Sequence, residues 1–236
     1  MNNLTLFLVL SFLVGEVVAS TLPSSERSEA ATKSVKSRLV SELTAQNLEY
    51  GAPIFIRIFK GSSTLELWME SNDGKFKLFK EYEICAYSGD LGPKEQEGDL
   101  QSPEGFYFVN AGRLNPWSQF HLSFNLGYPN KYDRMQGRTG SALMVHGDCV
   151  SIGCYAMTDT NINEIYTLAT EALKGGQPFF RVHAFPFKLT DENLDKYRDH
   201  RWYEFWRNLQ GGYKYFLVHG RPPNVEVEQG KYVFGV

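Results

Sequence analysis

The chain has no excess of basic residues. Its 236 residues include 24 Lys and Arg against 27 Asp and Glu, which gives a formal net charge of −3. Domains that bind nucleic acid generally carry a basic patch, so nucleic acid is not an expected partner. The glycine-rich stretches do not follow the strand-to-helix pattern of a phosphate-binding loop, and no flavin or metal motif is present. The sequence therefore predicts a protein with no small-molecule cofactor and no metal.

Long hydrophobic runs are also scarce. The apolar run at residues 4–14 is about half as long as the roughly 20 residues that a membrane-spanning helix needs. Val17, Val18 and Ala19 then offer a small-residue cleavage pattern, so residues 1–19 are predicted to be a signal peptide and the protein to be exported to the periplasm. No Lys or Arg precedes the run. This departs from an ordinary export signal and leaves a retained membrane anchor as the alternative.

Cysteine is rare as well, with three in the chain. In an exported protein an odd number leaves at least one thiol free or paired between chains. Cys85 lies in a strand-like segment and could bridge to Cys149, which would leave Cys154 free, but other pairings stay open. A free thiol that persists in an oxidising compartment suggests a use for it.

The first part of the chain predicts a linker, a short helix and then strands. Residues 20–34 contain little apolar material and are expected to be a linker, whereas Val35, Leu39, Val40 and Leu43 recur at helical spacing. From residue 53 the apolar residues alternate, with a hairpin signal at residues 72–74, so three or four antiparallel strands are expected. We find no repeat and no second domain, and predict that residues 20–49 lead into one catalytic domain at 50–236.

The later part of the chain predicts two more helices. Ile162 to Leu173 recur on one helical face, with Asp159 or Thr160 as the cap and residues 175–176 as the stop. A strand is expected at residues 179–187. A second helix is expected from Thr190 to the glycine pair at 211–212, followed by short β segments at 213–218 and 231–234.

The stretch at residues 141–159 carries the predicted chemistry. Apolar residues 142–145 lead into His146 and Gly147, and a polar loop then carries Ser151, Gly153 and Cys154. A buried strand that ends in a histidine, followed by a cysteine next to a glycine, is typical of a thiol nucleophile held beside its base. Gly153 would let the backbone turn tightly and leave room for a substrate carbonyl.

Several alternatives to this interpretation remain open. Cys154 could be an inert buried thiol, and His146, Cys149 and Cys154 could hold zinc, although no fourth ligand is obvious. Cys149 could be the nucleophile instead, although Asp148 beside it would raise its pKa. Among the other histidines, His121 is the one that could face the site.

The motif as a whole resembles the catalytic motif of the L,D-transpeptidase (YkuD-type) family, and within it the YafK-like branch of murein L,D-transpeptidase-related proteins. MVHG at 144–147 and SIGCYAMT at 151–158 carry the resemblance. Further matching segments are FIRIFK (55–60), ICAYSGDLGPK (84–94), QSPEGFY (101–107), YPN (128–130) and GRTG (137–140).

The resemblance implies a mainly β (α+β) fold: an L,D-transpeptidase-like β-sandwich catalytic domain with two or three flanking helices. It also implies an envelope enzyme that acts on peptidoglycan stem peptides. Two positions depart from the family pattern, because Ile152 stands where His is usual and Ala156 where Arg is usual. Arg134 or Arg138 could supply the missing cation for a substrate carboxylate.

The residue roles that follow are expectations. Cys154 would attack the amide, and His146 would move its proton. Ser151 or the Gly147 carbonyl would orient the imidazole, and the N–H groups of Gly153 and Cys154 would bind the oxyanion. The loop at 128–140 has the composition of a loop that shapes a site. The expected substrate contacts are Arg138, Arg134, Tyr128, Tyr132, His121 and Tyr155.

Three functions fit these expectations. An amine that resolves the Cys154 thioester gives an L,D-transpeptidase. Water gives a hydrolase, for instance an amidase that releases a covalently attached outer-membrane lipoprotein. A wall-binding module without activity is the third function, and it is disfavoured because both His146 and Cys154 are present.

Overall fold

The computed structural model describes residues 22–235. The predicted signal peptide at residues 1–19 lies outside this range. Within it, no helix is both long and apolar enough to cross a membrane.

Two sheets and a hairpin form the β structure of the described part of the chain. The strands, in chain order, are β1 (Ile54–Phe59), β2 (Thr64–Glu70), β3 (Phe76–Glu83), β4 (Gly105–Val109), β5 (Leu114–Asn115), β6 (Ser123–Asn125), β7 (Met144–His146), β8 (Tyr155–Ala156), β9 (Phe180–Phe185), β10 (Asn224–Glu228) and β11 (Lys231–Gly235). The larger sheet has the order β3-β2-β1-β9-β4, the smaller one has the order β5-β6-β7-β8, and β10 pairs with β11.

Within residues 22–235, five α-helices and two short 3-10 helices accompany the sheets. The α-helices are α1 (Glu26–Ala45), α2 (Lys131–Met135), α3 (Thr158–Lys174), α4 (Asp191–Asp195) and α5 (Tyr203–His219). The 3-10 helices are Lys60–Ser62 and Ala111–Arg113. The mixed α+β architecture predicted from the sequence is confirmed, with three long helices around the sheets.

The central strand β1 of the larger sheet is buried on both of its faces. All six of its residues are buried, which is typical of a strand covered on both sides. Ile54, Ile56 and Ile58 belong to the core cluster that also contains residues of α1, α3 and the smaller sheet. On the opposite face, Phe59 belongs to a second cluster with residues of α5 and of the β10–β11 hairpin.

The linker predicted at residues 20–34 is wrong for most of its length, because α1 begins at Glu26. The helix starts with a capping box, in which Ser25 and Ser28 exchange side-chain and backbone hydrogen bonds. Its first half buries the small residues Ser28 and Ala31. A search for large apolar side chains at helical spacing does not detect these residues. Val40, predicted on the buried face, is 38% exposed.

The predicted end of the last helix and the strand after it are also wrong. Gly211 and Gly212 lie inside α5, which continues to His219. A Cβ at Gly212 would lie 2.6 Å from ring atoms of both Phe106 and Phe234, so glycine here allows close packing of aromatic rings against the helix. Tertiary packing thus decides a position at which helix propensity alone predicts a break.

Candidate active site

The smaller sheet brings the two motif residues to one cavity. Strand β7 ends at His146, and its parallel pairing of Val145 with Tyr155 sets Cys154 beside Met144. His146 and Cys154 both line a cavity of about 580 Å³. The other walls come from the segment around Asn115–Phe120, from residues 141–144 and from the loop at 150–152.

Cys154 is the one cysteine of the chain that is not in a disulfide, because Cys85 and Cys149 are bonded to each other. This bond removes Cys149 both as an alternative nucleophile and as a zinc ligand. The Cys154 sulfur accepts a hydrogen bond from Met144 N at 3.4 Å and lies 3.8 Å from the carbonyl oxygen of Ala142. The thiol is partly exposed, and the inert core thiol is therefore not what the structure shows.

The imidazole of His146 is buried and held in one orientation. Its Nδ1 donates to the carbonyl oxygen of Gly147 at 2.5 Å, because that oxygen can only accept. The ring centroid lies 4.7 Å from that of Phe120. With the proton on Nδ1, Nε2 carries the free lone pair of a neutral imidazole. The predicted role of the Gly147 carbonyl as the group that orients the ring is supported by this contact.

Burial shifts the pKa values of His146 and Cys154 in the directions that favour their neutral forms. It lowers the pKa of His146, and this effect exceeds the opposing hydrogen bond to Gly147 and the charge of Asp148. It raises the pKa of the Cys154 thiol, against the opposing effects of the Met144 N–H and of Lys94. Both shifts favour a neutral thiol with a neutral imidazole over a preformed ion pair.

Ser151 stabilises the loop and makes no hydrogen bond to the imidazole. Its hydroxyl donates to the carbonyl oxygen of Cys154 at 2.8 Å and accepts from Gly153 N at 3.2 Å. The predicted orienting role of Ser151 is therefore not supported. The Gly153 N–H is already used by Ser151, whereas the Cys154 N–H makes no hydrogen bond within residues 22–235. Of the two predicted oxyanion donors, Cys154 N–H is the one left available.

A buried ion pair is linked through Ser102 to the backbone of Cys154, and the sequence analysis did not identify it. Ser102 Oγ donates to the Cys154 carbonyl oxygen at 3.1 Å. The fully buried Lys60 donates to the carbonyl oxygen of Ser102 at 3.1 Å and lies 3.3 Å from the fully buried Glu104. The motif at residues 101–107 was part of the family resemblance, and it contains two of these three residues.

Four of the predicted substrate-binding residues do not reach the cavity. Arg138 is buried and donates to Asp133 at 2.8 Å, so its charge is already paired. Tyr132 stacks on another tyrosine ring, and Tyr155 is fully buried with its hydroxyl bonded to the Pro103 carbonyl at 2.7 Å. Arg134 is exposed on α2 and donates to a carbonyl of the preceding turn. None of these four side chains lines the cavity that contains His146 and Cys154, so their contact with substrate stays a prediction.

The other two predicted contacts lie near the site but outside the cavity. His121 Nε2 is 2.7 Å from Asn163 Oδ1, and its Nδ1 is 3.9 Å from Asp159. Tyr128 is buried and donates to the Lys94 carbonyl at 3.1 Å, and it lines a second cavity beside the first. Asp159, predicted as a helix cap, instead accepts from the backbone N–H of Asp148 at 2.9 Å.

Apolar side chains surround the mouth of the cavity, and the sequence analysis assigned them no role. Ile152 is 79% exposed, Val150 is 53% exposed and Phe120 is 39% exposed, and all three line the cavity. Exposed apolar groups that cluster at a cavity are typical of a binding surface. The signal in the sequence was Ile152 itself, an apolar residue where the family usually has His.

The geometry agrees with what comparison with known proteins finds. The family described as L,D-transpeptidase catalytic domain (YkuD) matches residues 56–175, which include both His146 and Cys154. The chain belongs to this family. A curated relative named "Putative L,D-transpeptidase YafK", from Escherichia coli (strain K12), is 41% identical over 233 residues, which cover 99% of this chain and 90% of the relative.

Two solved structures of low sequence identity are also similar. The helical cell shape determining protein Pgp2 (K307A mutant) from Campylobacter jejuni is 22% identical with a TM-score of 0.47, over 82% of this chain and 66% of that one. Bd1075 from Bdellovibrio bacteriovorus is 17% identical with a TM-score of 0.38, over 75% of each chain.

Proposed function

We propose that this family member is a cysteine enzyme that acts on amide bonds of peptidoglycan stem peptides through a thioester on Cys154. One observation carries the proposal: the free thiol and an imidazole with an available Nε2 line the same cavity. Family membership supplies the substrate class. No metal and no organic cofactor takes part in the proposed steps.

The first half-reaction forms the thioester. His146 Nε2 takes the thiol proton as the Cys154 sulfur bonds to the substrate carbonyl carbon. The Cys154 N–H donates to the oxygen on which negative charge develops. The C–N bond then breaks, and the imidazolium of His146 returns the proton to the leaving amine. A neutral starting pair suits this step, because the base must be unprotonated and the nucleophile must give up a proton.

The second half-reaction depends on which nucleophile reaches the thioester. An amine of a second stem peptide would give transpeptidation, with His146 taking the amine proton and the thiol leaving as the C–S bond breaks. Water would give hydrolysis by the same proton transfers. L,D-transpeptidation is the reaction that the family name describes.

A specific observation favours hydrolysis as the second candidate. None of the described residues that line the cavity with His146 and Cys154 is Lys or Arg. A second stem peptide, which carries carboxylates, would therefore find no cation beside the thioester, whereas water needs no binding site. The exposed Val150 and Ile152 would suit an apolar polypeptide as the leaving group. An envelope lipoprotein attached to the wall is a partner of that kind.

We also propose that the protein works in the periplasm after export. The Cys85–Cys149 disulfide supports this location, because structural disulfides persist in oxidising compartments. The mass of the protein recovered from the envelope tests the location: loss of residues 1–19 indicates cleavage after Ala19. A full-length mass in the membrane fraction indicates a retained anchor instead.

Incubation with two wall preparations tests the reaction itself. One preparation is rich in tetrapeptide stems and the other carries covalently attached protein, and a Cys154→Ala variant of unchanged folding is the control. New cross-linked stems that depend on Cys154 would establish transpeptidation, and release of attached protein would establish hydrolysis. Full activity of the Cys154→Ala variant would overturn the assignment. Wall binding without any turnover would indicate the binding module.

A further inference from the structure

The thiol lies against a wall that separates two cavities. A second cavity of about 430 Å³ shares Asn115, Ser141, Ala142 and Met144 with the cavity that contains His146. Two of these four residues are the ones whose backbone atoms contact the Cys154 sulfur. Cys154 itself lines the first cavity, and a substrate bonded to its sulfur would reach the second cavity across Ala142 and Met144.

The second cavity contains a positioned cation. Arg113 ends a 3-10 helix and lines this cavity. Its Nη1 donates to the carbonyl oxygens of Phe108 and Leu126, the latter at 3.2 Å, and its guanidinium carbon lies 4.3 Å from the Phe108 ring centroid. Gly127 leaves space for this arrangement, because a Cβ there would overlap the guanidinium.

The guanidinium is held without a carboxylate partner among residues 22–235. All of its hydrogen bonds in this range go through Nη1 to main-chain carbonyls, so Nε and Nη2 keep their N–H groups for a ligand. The side chain is half-buried. A half-buried cation that lines a cavity and keeps N–H donors unbonded among residues 22–235 is matched by a carboxylate, which a guanidinium can bind with two parallel hydrogen bonds.

The position of His146 decides which half of the substrate occupies which cavity. His146 lines the first cavity and does not line the second. Because its imidazole must protonate the leaving amine, the amine half of the scissile amide belongs in the first cavity. The acyl half, which stays on the sulfur, then extends over Ala142 and Met144 into the second cavity.

We infer that Arg113 binds a carboxylate carried on the acyl half of the substrate, and that it selects acyl donors that have this group. The inference rests on the proposed function for the assignment of the two halves. Asn125 and Ser141 supply further polar groups in the same cavity. Arg113 thus provides the cation that the family position at Ala156 lacks, on the acyl side only. Among the described residues, none that lines the cavity on the amine side is Lys or Arg.

Paired peptides test the inference. The probes are two synthetic stem tetrapeptides that differ only in whether one side-chain carboxyl on the acyl half is free or amidated. Binding to the full chain carrying Cys154→Ala is measured by calorimetry, and turnover by the wild type is measured by mass spectrometry. We expect the free carboxylate to bind roughly tenfold or more tightly, since hydrogen bonds to charged groups are the strong ones.

Three variants separate recognition from structure. Arg113→Gln is expected to abolish the preference for the free carboxylate by weakening that probe alone, and Arg113→Lys to keep a part of it. Arg198→Gln is the matched control, because Arg198 is an exposed arginine outside both cavities and should leave the preference unchanged. Thermal unfolding shows whether each variant is folded.

Two outcomes would overturn the inference. One is a wild-type protein that binds both probes equally or binds neither. The other is a folded Arg113→Lys or Arg113→Gln variant that keeps the full preference for the free carboxylate, or that binds both probes more weakly by the same factor. Failure of the proposed function would give a different result. Binding would still favour the free carboxylate in a way that depends on Arg113, but no turnover would depend on Cys154. That result would retain the carboxylate site and refute the proposed enzyme.

Discussion

The Nδ1 atom of His146 donates to the carbonyl oxygen of the next residue, Gly147, at 2.5 Å. This hydrogen bond between adjacent residues fixes the tautomer of the imidazole. No separate acidic residue is therefore needed to orient the ring. Position 147 requires glycine, because a Cβ there would lie 2.6 Å from an Asp159 oxygen and 2.9 Å from the Cβ of His121. The base is thus positioned by the backbone.

The pH dependence of activity follows from the burial of this base. Burial lowers the pKa of His146 from its usual 6.5, so the imidazole stays unprotonated to a lower pH than an ordinary histidine. We expect the acid limb of kcat/KM to have its midpoint below pH 6.5. His146→Gln should lower kcat/KM by about 10²–10⁴-fold, whereas His121→Gln should keep the acid limb. A midpoint above the usual value would contradict a buried neutral base.

The reactivity of the thiol gives an independent prediction. Burial raises the pKa of Cys154, and the thiolate is the form that alkylating reagents attack. Alkylation by iodoacetamide should therefore be slow near pH 7 and should accelerate only at a pH above the ordinary titration range of a thiol. The rate is followed by mass spectrometry, with Cys154→Ala as the blank. Fast alkylation at pH 7 that is lost in His146→Gln would indicate a preformed thiolate–imidazolium pair instead.

The disulfide should stabilise the fold around the site. Cys85 and Cys149 are 64 residues apart in the chain, and the bond ties the end of β3 to the loop before Cys154. Replacing both with Ala should lower the free energy of unfolding by roughly 2–4 kcal/mol. Urea unfolding measures the change, and the reduced wild type should match the double variant. A wild type that unfolds at the same urea concentration with and without reductant would contradict this prediction.

Ser151 should affect catalysis through the backbone of the loop. Ser151→Ala removes three hydrogen bonds: to the Cys154 carbonyl, from Gly153 N, and with Ser88 Oγ at 3.3 Å. At about 1 kcal/mol for a hydrogen bond, kcat/KM should fall roughly fivefold to tenfold. The midpoint of the acid limb should not move, because Ser151 makes no hydrogen bond to His146 in the described chain. A shifted midpoint would restore the orienting role expected from the sequence.

The sequence predicted the elements whose signal is local. β1, β2 and β3 have the alternation of apolar residues that predicts strands, and β9 lies within the strand predicted at residues 179–187. The strand leading to His146 ends where the polar loop begins. The first half of α1 was missed because it is buried through serine and alanine. Strand β10 was missed because it is short, and most of its residues are exposed or half-buried.

The site residues that could be predicted from the sequence are also those whose signal is local. His146 and Cys154 could be found because strand, turn and loop place them close together in sequence. Arg113 could not, because its relation to the thiol depends on β5 pairing with β6 and β6 with β7. Arg138 was predicted from the composition of its loop, which does not reveal that Asp133 pairs with it in the interior.

The buried pair of Lys60 and Glu104 gives the largest expected effect on stability. Both side chains are fully buried, 3.3 Å apart, and Glu104 also accepts from Gly92 N and from Trp206 Nε1. Lys60→Met leaves a buried carboxylate without its cation, which should cost about 3–5 kcal/mol of unfolding free energy.

A double variant and an exposed pair make this prediction specific. Lys60→Met combined with Glu104→Gln should cost less than the sum of the two single changes, because the two groups compensate each other. Lys196→Met breaks an exposed pair with Glu192 and should change the unfolding free energy by less than about 0.5 kcal/mol. Because Lys60 also holds the Ser102 carbonyl beside Cys154, kcat/KM of the single variant should fall as well. A Lys60→Met protein as stable and as active as the wild type would show that this pair does not support the nucleophile.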